Sequence, residues 1–411
     1  MANKFNSRVY GCTIIKSINS NYNADFSGQP RKLPNGVVYA TDKALKYSIR
    51  NYWKEMYSEE KIFFFKSFNE SLIPRSLDER YISFFSEFKR NVTSDKYCLF
   101  EFDGEYVKGV IPNQPKKKNV SDIYKDMEED DDLKSIEKEL LELTKKTTKT
   151  SSIDSISKDG LGEDECFFYI EKEGKNIKID TDKSIIQRAS SLILENMGGG
   201  INRILTLKDL LSCLDIKLFG ATYAGQTNIS IHGTCQITHG LNKYVESVIF
   251  SEQIMSPFRN PKEKSADSTM TTLGSQSRLQ EGHYVHHFSV NPKNIEEDTA
   301  RTGAEGLTTD DIAKLKEGLR KGATYYDSAA KAGTENELLL WIQLKEGSRL
   351  VLPTLVELVE VNEQKEINLK KVADLLAAEH IASDIEKIEI YYNKAVTKVI
   401  NELKGSQFLE L

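Results

Sequence analysis

The chain has 411 residues, 39% hydrophobic and 29% charged, with a formal net charge of −6. That balance is ordinary for a globular protein of one large domain or two to three smaller ones. No apolar run approaches the roughly 18 residues of a membrane span, and the N-terminus lacks a secretory pattern, so a cytoplasmic location with no membrane partner is expected.

The acidic balance counts mildly against a nucleic-acid binder, since phosphates need local Lys and Arg. Between Pro115 and Glu165, however, 10 Lys stand against 15 Asp plus Glu, so this one segment holds most of the net charge. Basic patches elsewhere are compatible with the total. The five cysteines, Cys12, Cys98, Cys166, Cys213 and Cys235, are scattered without a CxxC pair, which predicts buried, reduced thiols rather than a zinc site.

Residues 8–18 (RVYGCTIIKSI) read as a buried strand, and 19–36, dense in Asn, Ser, Gly and Pro, as a long loop. Thr41 or Asp42 caps a helix, TDKALKYSIRNYWKEM, whose apolar positions Ala44, Leu45, Ile49, Tyr52 and Trp53 share a face. Residues 61–113 mix short strands (IFFFKSF, YCLFEF) with a helix around 77–90. The charged, Ser/Thr-rich stretch 114–165 reads as an exposed, partly disordered insertion, or an interaction tail.

CFFYIEKEGKNIKID predicts a hairpin, followed by helices near 183–195 and 206–213 around Gly198-Gly199-Gly200. CLDIKLFGATY (213–223) and NISIHGTCQITHG (228–240) look strand-like. The polar stretch 251–282 lies before a further strand at 283–291. The T-T-D-D opening predicts a helix from about Thr308 to Ala332, with a strand at 337–345 after it. A β-α-β is expected at the end: VLPTLVELVEV, the helix NLKKVADLLAAEH, and IEKIEIYY.

With the long excursions removed, the order is β-α-β-β-α-β, that of the ferredoxin-like fold and of RNA-recognition domains, an α+β class. Lys43, Lys46 and Arg50 stand at i, i+3 and i+7, a basic stripe suited to successive phosphates, although a solvated helix face has the same pattern. The loop offers Asn19, Asn21, Asn23 and Ser27 with Lys16, Arg31 and Lys32 nearby, which suits phosphates and 2′-hydroxyls or, equally, an Asx-rich turn. His283 and His287 share a strand face while His286 points away, which splits a metal cluster, so no metal or other cofactor is expected. The triple glycine lacks a following GK[ST] and is no phosphate loop.

In order, IIKSINSNYNADFSGQPR, TDKALKYSIRNYW, CLDIKLFGATY, STMTTLGSQSRL and TTDDIAKLKEGLRKGATYYDSAA resemble the backbone subunit of type I CRISPR Cascade, particularly type I-B. The resemblance implies a hand: an RNA-recognition palm at 1–58 and 219–345, a finger insertion at 59–218, a thumb hairpin at 243–282 and a C-terminal extension of the palm at 346–411. The 114–165 insertion has no counterpart in the family. In the thumb, Arg259, Lys262, Lys264 and Arg278 would meet the backbone, with Met270 as an apolar wedge between bases.

The resemblance further implies a non-catalytic scaffold that polymerises head to tail along crRNA and presents it to a target DNA strand. Its other partners would be the Cascade large subunit and the 5′-end cap subunit. Two rivals remain: a guide-dependent endoribonuclease using Asp25 or Asp42 with a divalent metal, and a general single-strand binder stacking bases on His287 and Phe288.

Overall fold

The computed structural model describes residues 3–68, 72–85, 89–94, 97–102, 105–110, 168–172, 175–179, 203–225, 228–255, 273–401 and 403–411. It is a mixed α/β structure of two compact units, one comprising 1–65, 211–221 and 231–411, the other 66–210 and 222–230.

The first unit begins with strand β1 (Val9–Ser20), then β2 (Tyr39–Ala40) and helix α1 (Asp42–Met56). The second unit has helix α2 (Leu77–Phe85) and an antiparallel sheet of β3 (Lys89–Ser94), β4 (Tyr97–Phe102), β5 (Glu105–Val110), β6 (Phe168–Lys172) and β7 (Lys175–Ile179), in the order β3-β4-β5-β7-β6. The expected hairpin CFFYIEKEGKNIKID is the β6–β7 pair. Helix α3 (Arg203–Leu211) follows, then α4 (Leu214–Phe219) and the paired strands β8 (Ala221–Ala224) and β9 (Asn228–Ile231). The 114–165 insertion, the 183–195 helix and the triple glycine lie outside the described residues.

The chain continues with β10 (Cys235–Ile237), β11 (Gly240–Asn242), β12 (Ile249–Met255) and the 18-residue β13 (Leu273–Val290). After α5 (Glu296–Thr302) come α6 (Thr309–Tyr325) and β14 (Thr334–Leu344). The C-terminal region holds β15 (Glu360–Val361), β16 (Ile367–Asn368), α7 (Lys370–Leu376), α8 (Glu379–Ala382), β17 (Ile385–Tyr392), β18 (Val399–Ile400) and β19 (Gln407–Leu409). The main sheet runs β19-β17-β14-β1-β13-β11-β2, with β10 and β12 also on β13. Every pairing along β17, β14, β1, β13 and β10 is antiparallel.

Both faces of β1 are buried, which is why its sequence reads as a nearly unbroken apolar run. Val9 and Ile15 face the core under α1 and α6, shared with Ile49, Trp53, Leu315 and Leu319. Tyr10, Cys12 and Ile14 face a second core closed by Leu352, Leu355, Leu369 and Val372 of the C-terminal region. A methyl at Gly11 would stand 2.3 Å from both the Leu340 carbonyl oxygen and the Phe288 ring, so only glycine admits that ring. Burial pushes the Cys12 and Cys235 thiols up to about 12, and Cys213 is likewise buried and in no disulfide.

Several expectations need correction. CLDIKLF is helix, not strand: all six residues of α4 are buried, and Asp215 and Lys217 have buried partners, so the alternation of polar and apolar residues marked no solvent face. IFFFKSF forms no strand, because the N–H groups of Phe63 and Phe64 turn to the Asp215 carboxylate, at 2.9 Å each. The 228–240 run breaks into β9 and β10. Strand β3 already begins at Lys89, inside the helix expected to reach 90, and α6 ends at Tyr325, short of Ala332. VLPTLVELVEV is extended chain with a 3-10 turn and two strand residues, since Leu352, Leu355, Val356, Val359 and Val361 fill the second core as irregular backbone.

Candidate nucleic-acid interface

Helix α1 starts at Thr41, whose hydroxyl accepts the N–H of Ala44, leaving Asp42 in the first turn. Its buried face, Leu45, Ile49, Tyr52 and Trp53, packs on α6, and Trp53 Nε1 donates to the Lys314 carbonyl at 2.8 Å. α6 carries the capping box its opening implied, Thr308 and Asp311 exchanging hydrogen bonds.

The loop after β1 is clamped to the β12–β13 ribbon. Asn19 takes φ +47°, and its carbonyl accepts from Arg278 Nη1 at 2.8 Å. Asn21 Nδ2 donates to the Ser277 and Gly28 carbonyls at 3.2 and 3.0 Å, and Gln29 Nε2 donates to Ser277 Oγ at 2.6 Å. Ser277 in turn shares a 2.7 Å hydrogen bond with Ser251 across the ribbon. Asn23 Oδ1 accepts both the N–H and the hydroxyl of Thr41, tying the loop to the start of α1.

At the tip, Asp25 Oδ1 accepts from the Ser27 N–H, the Ser27 hydroxyl and the Gln29 N–H at 2.8, 2.7 and 3.0 Å. The Ser27 hydroxyl bond, with the two backbone N–H groups, holds the Asp25 carboxyl below its ordinary range. Gly28 completes the turn at φ +81°.

The expected contact residues are therefore not alike. Lys32 and Lys43 are exposed and make no ion pair among the described residues. Arg31 is half-buried, its Nε donating to the Ala24 carbonyl at 3.0 Å. Lys46 pairs with Asp42 at 3.0 Å, Lys16 lies 3.7 Å from Glu335, and Arg50 pairs with the buried Asp215 at 2.9 Å. Asn21 is buried and Asn23 half-buried, Asn21 Nδ2 being taken by the Gly28 and Ser277 carbonyls and Asn23 Oδ1 by Thr41, whereas Asn19 is exposed. The Lys43, Lys46, Arg50 stripe thus separates into one cation without an ion pair among the described residues and two paired ones.

β13 runs past its ladder with β1, which ends at Leu279, and pairs with β12 back to Leu273. Arg278 sits on that ribbon beside Glu252, at 3.3 Å. Arg259, Lys262, Lys264 and Met270 lie outside the described residues.

The family model described as "CRISPR-associated protein Cas7" matches residues 7–386. The chain belongs to the Cas7 family. Among solved structures, two described as "CRISPR RNA-guided surveillance complex, pre-nicking" and "CRISPR RNA-guided surveillance complex" are similar to it at 13% and 12% identity. They cover 98% and 96% of this chain and 96% of each of theirs, with TM-scores of 0.49 and 0.40. No curated protein matches.

In this Cas7-family chain the main sheet offers no stacking platform at His287 and Phe288. His287 is buried under the C-terminal region, its Nδ1 accepting the Leu355 N–H at 3.3 Å, and Phe288 is fully buried on the opposite face. His286 is enclosed between the Thr238 carbonyl, 3.0 Å from Nδ1, and the Tyr22 hydroxyl, 3.3 Å from Nε2. Burial lowers both His286 and His287 to about 4. His283 Nδ1 lies 2.6 Å from Glu337 inside the sheet. No group of His, Cys, Asp and Glu among the described residues could hold a metal, and no described helix is long and apolar enough to cross a membrane.

Sequence reasoning missed four residues that shape the interface. Gln29 and Ser277 form the clamp, and no local signal joins two residues so far apart in the chain. Asp215 organises α1, α4 and the 61–64 segment from a position whose sequence context resembles a strand. Lys331 donates to the Tyr22 carbonyl behind the loop, and burial lowers it to about 8.

Proposed function

We propose that this chain is the backbone subunit of a type I-B CRISPR Cascade, binding crRNA without cutting it and polymerising head to tail along it. In this reading crRNA is presented for pairing with a target DNA strand, beside the large subunit and the 5′-end cap subunit. Membership of the Cas7 family supports it. So does the antiparallel order β14-β1-β13-β10 with α1 and α6 on one face, an order that a ferredoxin-like palm would have. The β12–β13 ribbon is then the root of the thumb, and the palm, finger and thumb boundaries are those the resemblance implies.

The observation that carries the proposal is the clamp of loop 19–32 to the ribbon, with the exposed cations Lys32 and Lys43 beside it, which make no ion pair among the described residues. A loop fixed to both the helix start and the ribbon holds its cations in one place, where phosphates can be met without reading bases. Asp25 supports the non-catalytic reading, because its carboxylate accepts three hydrogen bonds within its own turn.

The test is co-purification from cells expressing the neighbouring genes, with sequencing of the bound RNA. Uniform short RNAs of repeat-plus-spacer form are expected, depleted in a Lys32→Ala/Lys43→Ala double variant. In binding assays the salt slope should fall by about 0.7 for each phosphate that the variant no longer neutralises. Heterogeneous RNA, or none, overturns the reading. Metal-dependent cutting of guide-complementary RNA would replace it with the nuclease, provided Asp25→Asn, which retains acceptors for the turn, abolishes the cutting.

A further inference from the structure

One side chain in the loop has no structural task. Phe26 is fully exposed, at 104% relative accessibility, and no other large apolar residue among those described is exposed to that degree. Its place is not a loose end of chain. The Asp25 N–H donates to the Gln29 carbonyl at 2.8 Å and the Gly28 N–H to the Asp25 carbonyl at 3.2 Å, closing a tight turn around it. The three hydrogen bonds to the Asp25 carboxylate lock the same turn from the side chain, and Gln29 fastens it to the ribbon.

The backbone therefore holds an aromatic ring in water that a slack loop would let collapse. Exposing a phenylalanine forgoes the favourable transfer of its apolar surface out of water, so an occupant that covers the ring recovers that contribution. What surrounds the ring indicates which occupant. The Arg31 guanidinium lies 5.9 Å from its centroid, itself anchored to the Ala24 carbonyl. Ser27 and Gly28 follow it, and the exposed Lys32 stands in the same loop. A single ring amid polar groups and cations lacks the apolar surround of a protein–protein anchor. It suits a flat, uncharged ring joined to a phosphate: the ring takes the π-face while the cations take the charge.

We infer that Phe26 is a base-stacking residue, covering one nucleobase of the bound guide RNA, with Arg31 positioned for an adjoining phosphate. The inference rests on the crRNA-binding reading and adds to it a contact with a base, where the loop's other groups address the backbone. Stacking on a π-face does not distinguish bases, so the contact is compatible with guides of any sequence.

The experiment uses the full chain and two synthetic RNAs of equal length, one normal and one with abasic sites throughout. Titration at fixed salt is followed by anisotropy, for the parent chain and for Phe26→Ala, Phe26→Leu and Phe26→Trp. Phe26→Ala should weaken binding to the normal strand by roughly 5- to 150-fold, the range of one base–aromatic stack, and leave binding to the abasic strand unchanged. Phe26→Leu should behave much as Ala. Phe26→Trp should bind as the parent does, and its new emission should be quenched by the normal strand alone.

Equal losses on both strands, or no loss on either, overturn the inference. So does a loss confined to long RNAs that seat several copies, since that assigns Phe26 to contact between copies. If Phe26→Ala is neutral while Lys32→Ala/Lys43→Ala still lowers the salt slope, stacking fails and the crRNA reading stands. If the parent chain binds neither strand, the crRNA reading fails with it.

Discussion

Arg50 illustrates how a residue's chemistry is set by one neighbour. Its Nε donates to Asp215 Oδ2, and the same carboxylate accepts the Phe63 and Phe64 N–H groups, in a place water does not reach. Removing the guanidinium leaves a buried carboxylate with its two backbone donors and no countercharge. Arg50→Ala is therefore expected to lower folding stability by about 3 kcal/mol, as measured by urea denaturation, whereas Lys43→Ala should change it by less than about 0.5 kcal/mol. A stable Arg50→Ala chain that fails to bind RNA would return this residue to the phosphate contacts. A triple alanine variant of Lys43, Lys46 and Arg50 would mix the two effects, which is why Lys32 and Lys43 serve as the probes of binding.

At the scale of elements, the α1–α6 contact depends on glycines inside a helix, where propensity alone disfavours them. A methyl at Gly318 would stand 2.7 Å from Ile49 Cγ2 and 2.9 Å from Trp53 Nε1; one at Gly322 would stand 3.1 Å from the Ile49 Cα. The backbone at Ile49 cannot yield as a side chain tip can, so the two helices approach only because these positions are bare. Alanine gains about 1 kcal/mol of helix propensity, against roughly 1–3 kcal/mol for overpacking. The double variant Gly318→Ala/Gly322→Ala should thus lose stability overall, with a melting temperature lower by about 2–4 °C; a higher one would show that the helices part freely. The clamp gives a second expectation. Ser277→Ala removes the hydroxyl bonded to Gln29 and Ser251, so amide exchange in the 24–31 turn should accelerate while α1 stays protected. Unchanged exchange would mean that Asn21 and Arg278 hold the loop without it.

For the whole molecule, the two neutral histidines set the response to acid. In the unfolded chain a histidine takes a proton near its ordinary 6.5, but burial lowers His286 and His287 to about 4 in the fold. Below 6.5 the unfolded state binds more protons, so stability falls as pH falls and the loss is complete near pH 4. Asp42 and His239 are the charged or titratable neighbours of His286, and they pull in opposite directions. Each histidine contributes on the order of 3 kcal/mol over that window. A melting temperature that declines from pH 6.5 to 4, with a shallower decline in His286→Gln, is the expected result. A flat profile would mean that both rings already titrate freely in the fold.

What the sequence by itself determined is what depends on local pattern: β1 as a buried strand, the capped starts of α1 and α6, the loop between β1 and α1, and the order of motifs that led to the Cas7 family. Caps, turns and apolar runs act within a few residues, so they are written in consecutive letters. The tertiary structure alone decided which polar residues are free. Lys43 and Arg50 look alike in the sequence, but only Arg50 meets an Asp215 brought from 165 residues away. Likewise Asn21 reads as a loop amide open to solvent until Ser277 arrives from across the ribbon and takes it. The alternation in CLDIKLF reads as a strand for the same reason: a charge buried with a distant partner cannot be distinguished, by sequence alone, from a charge facing water.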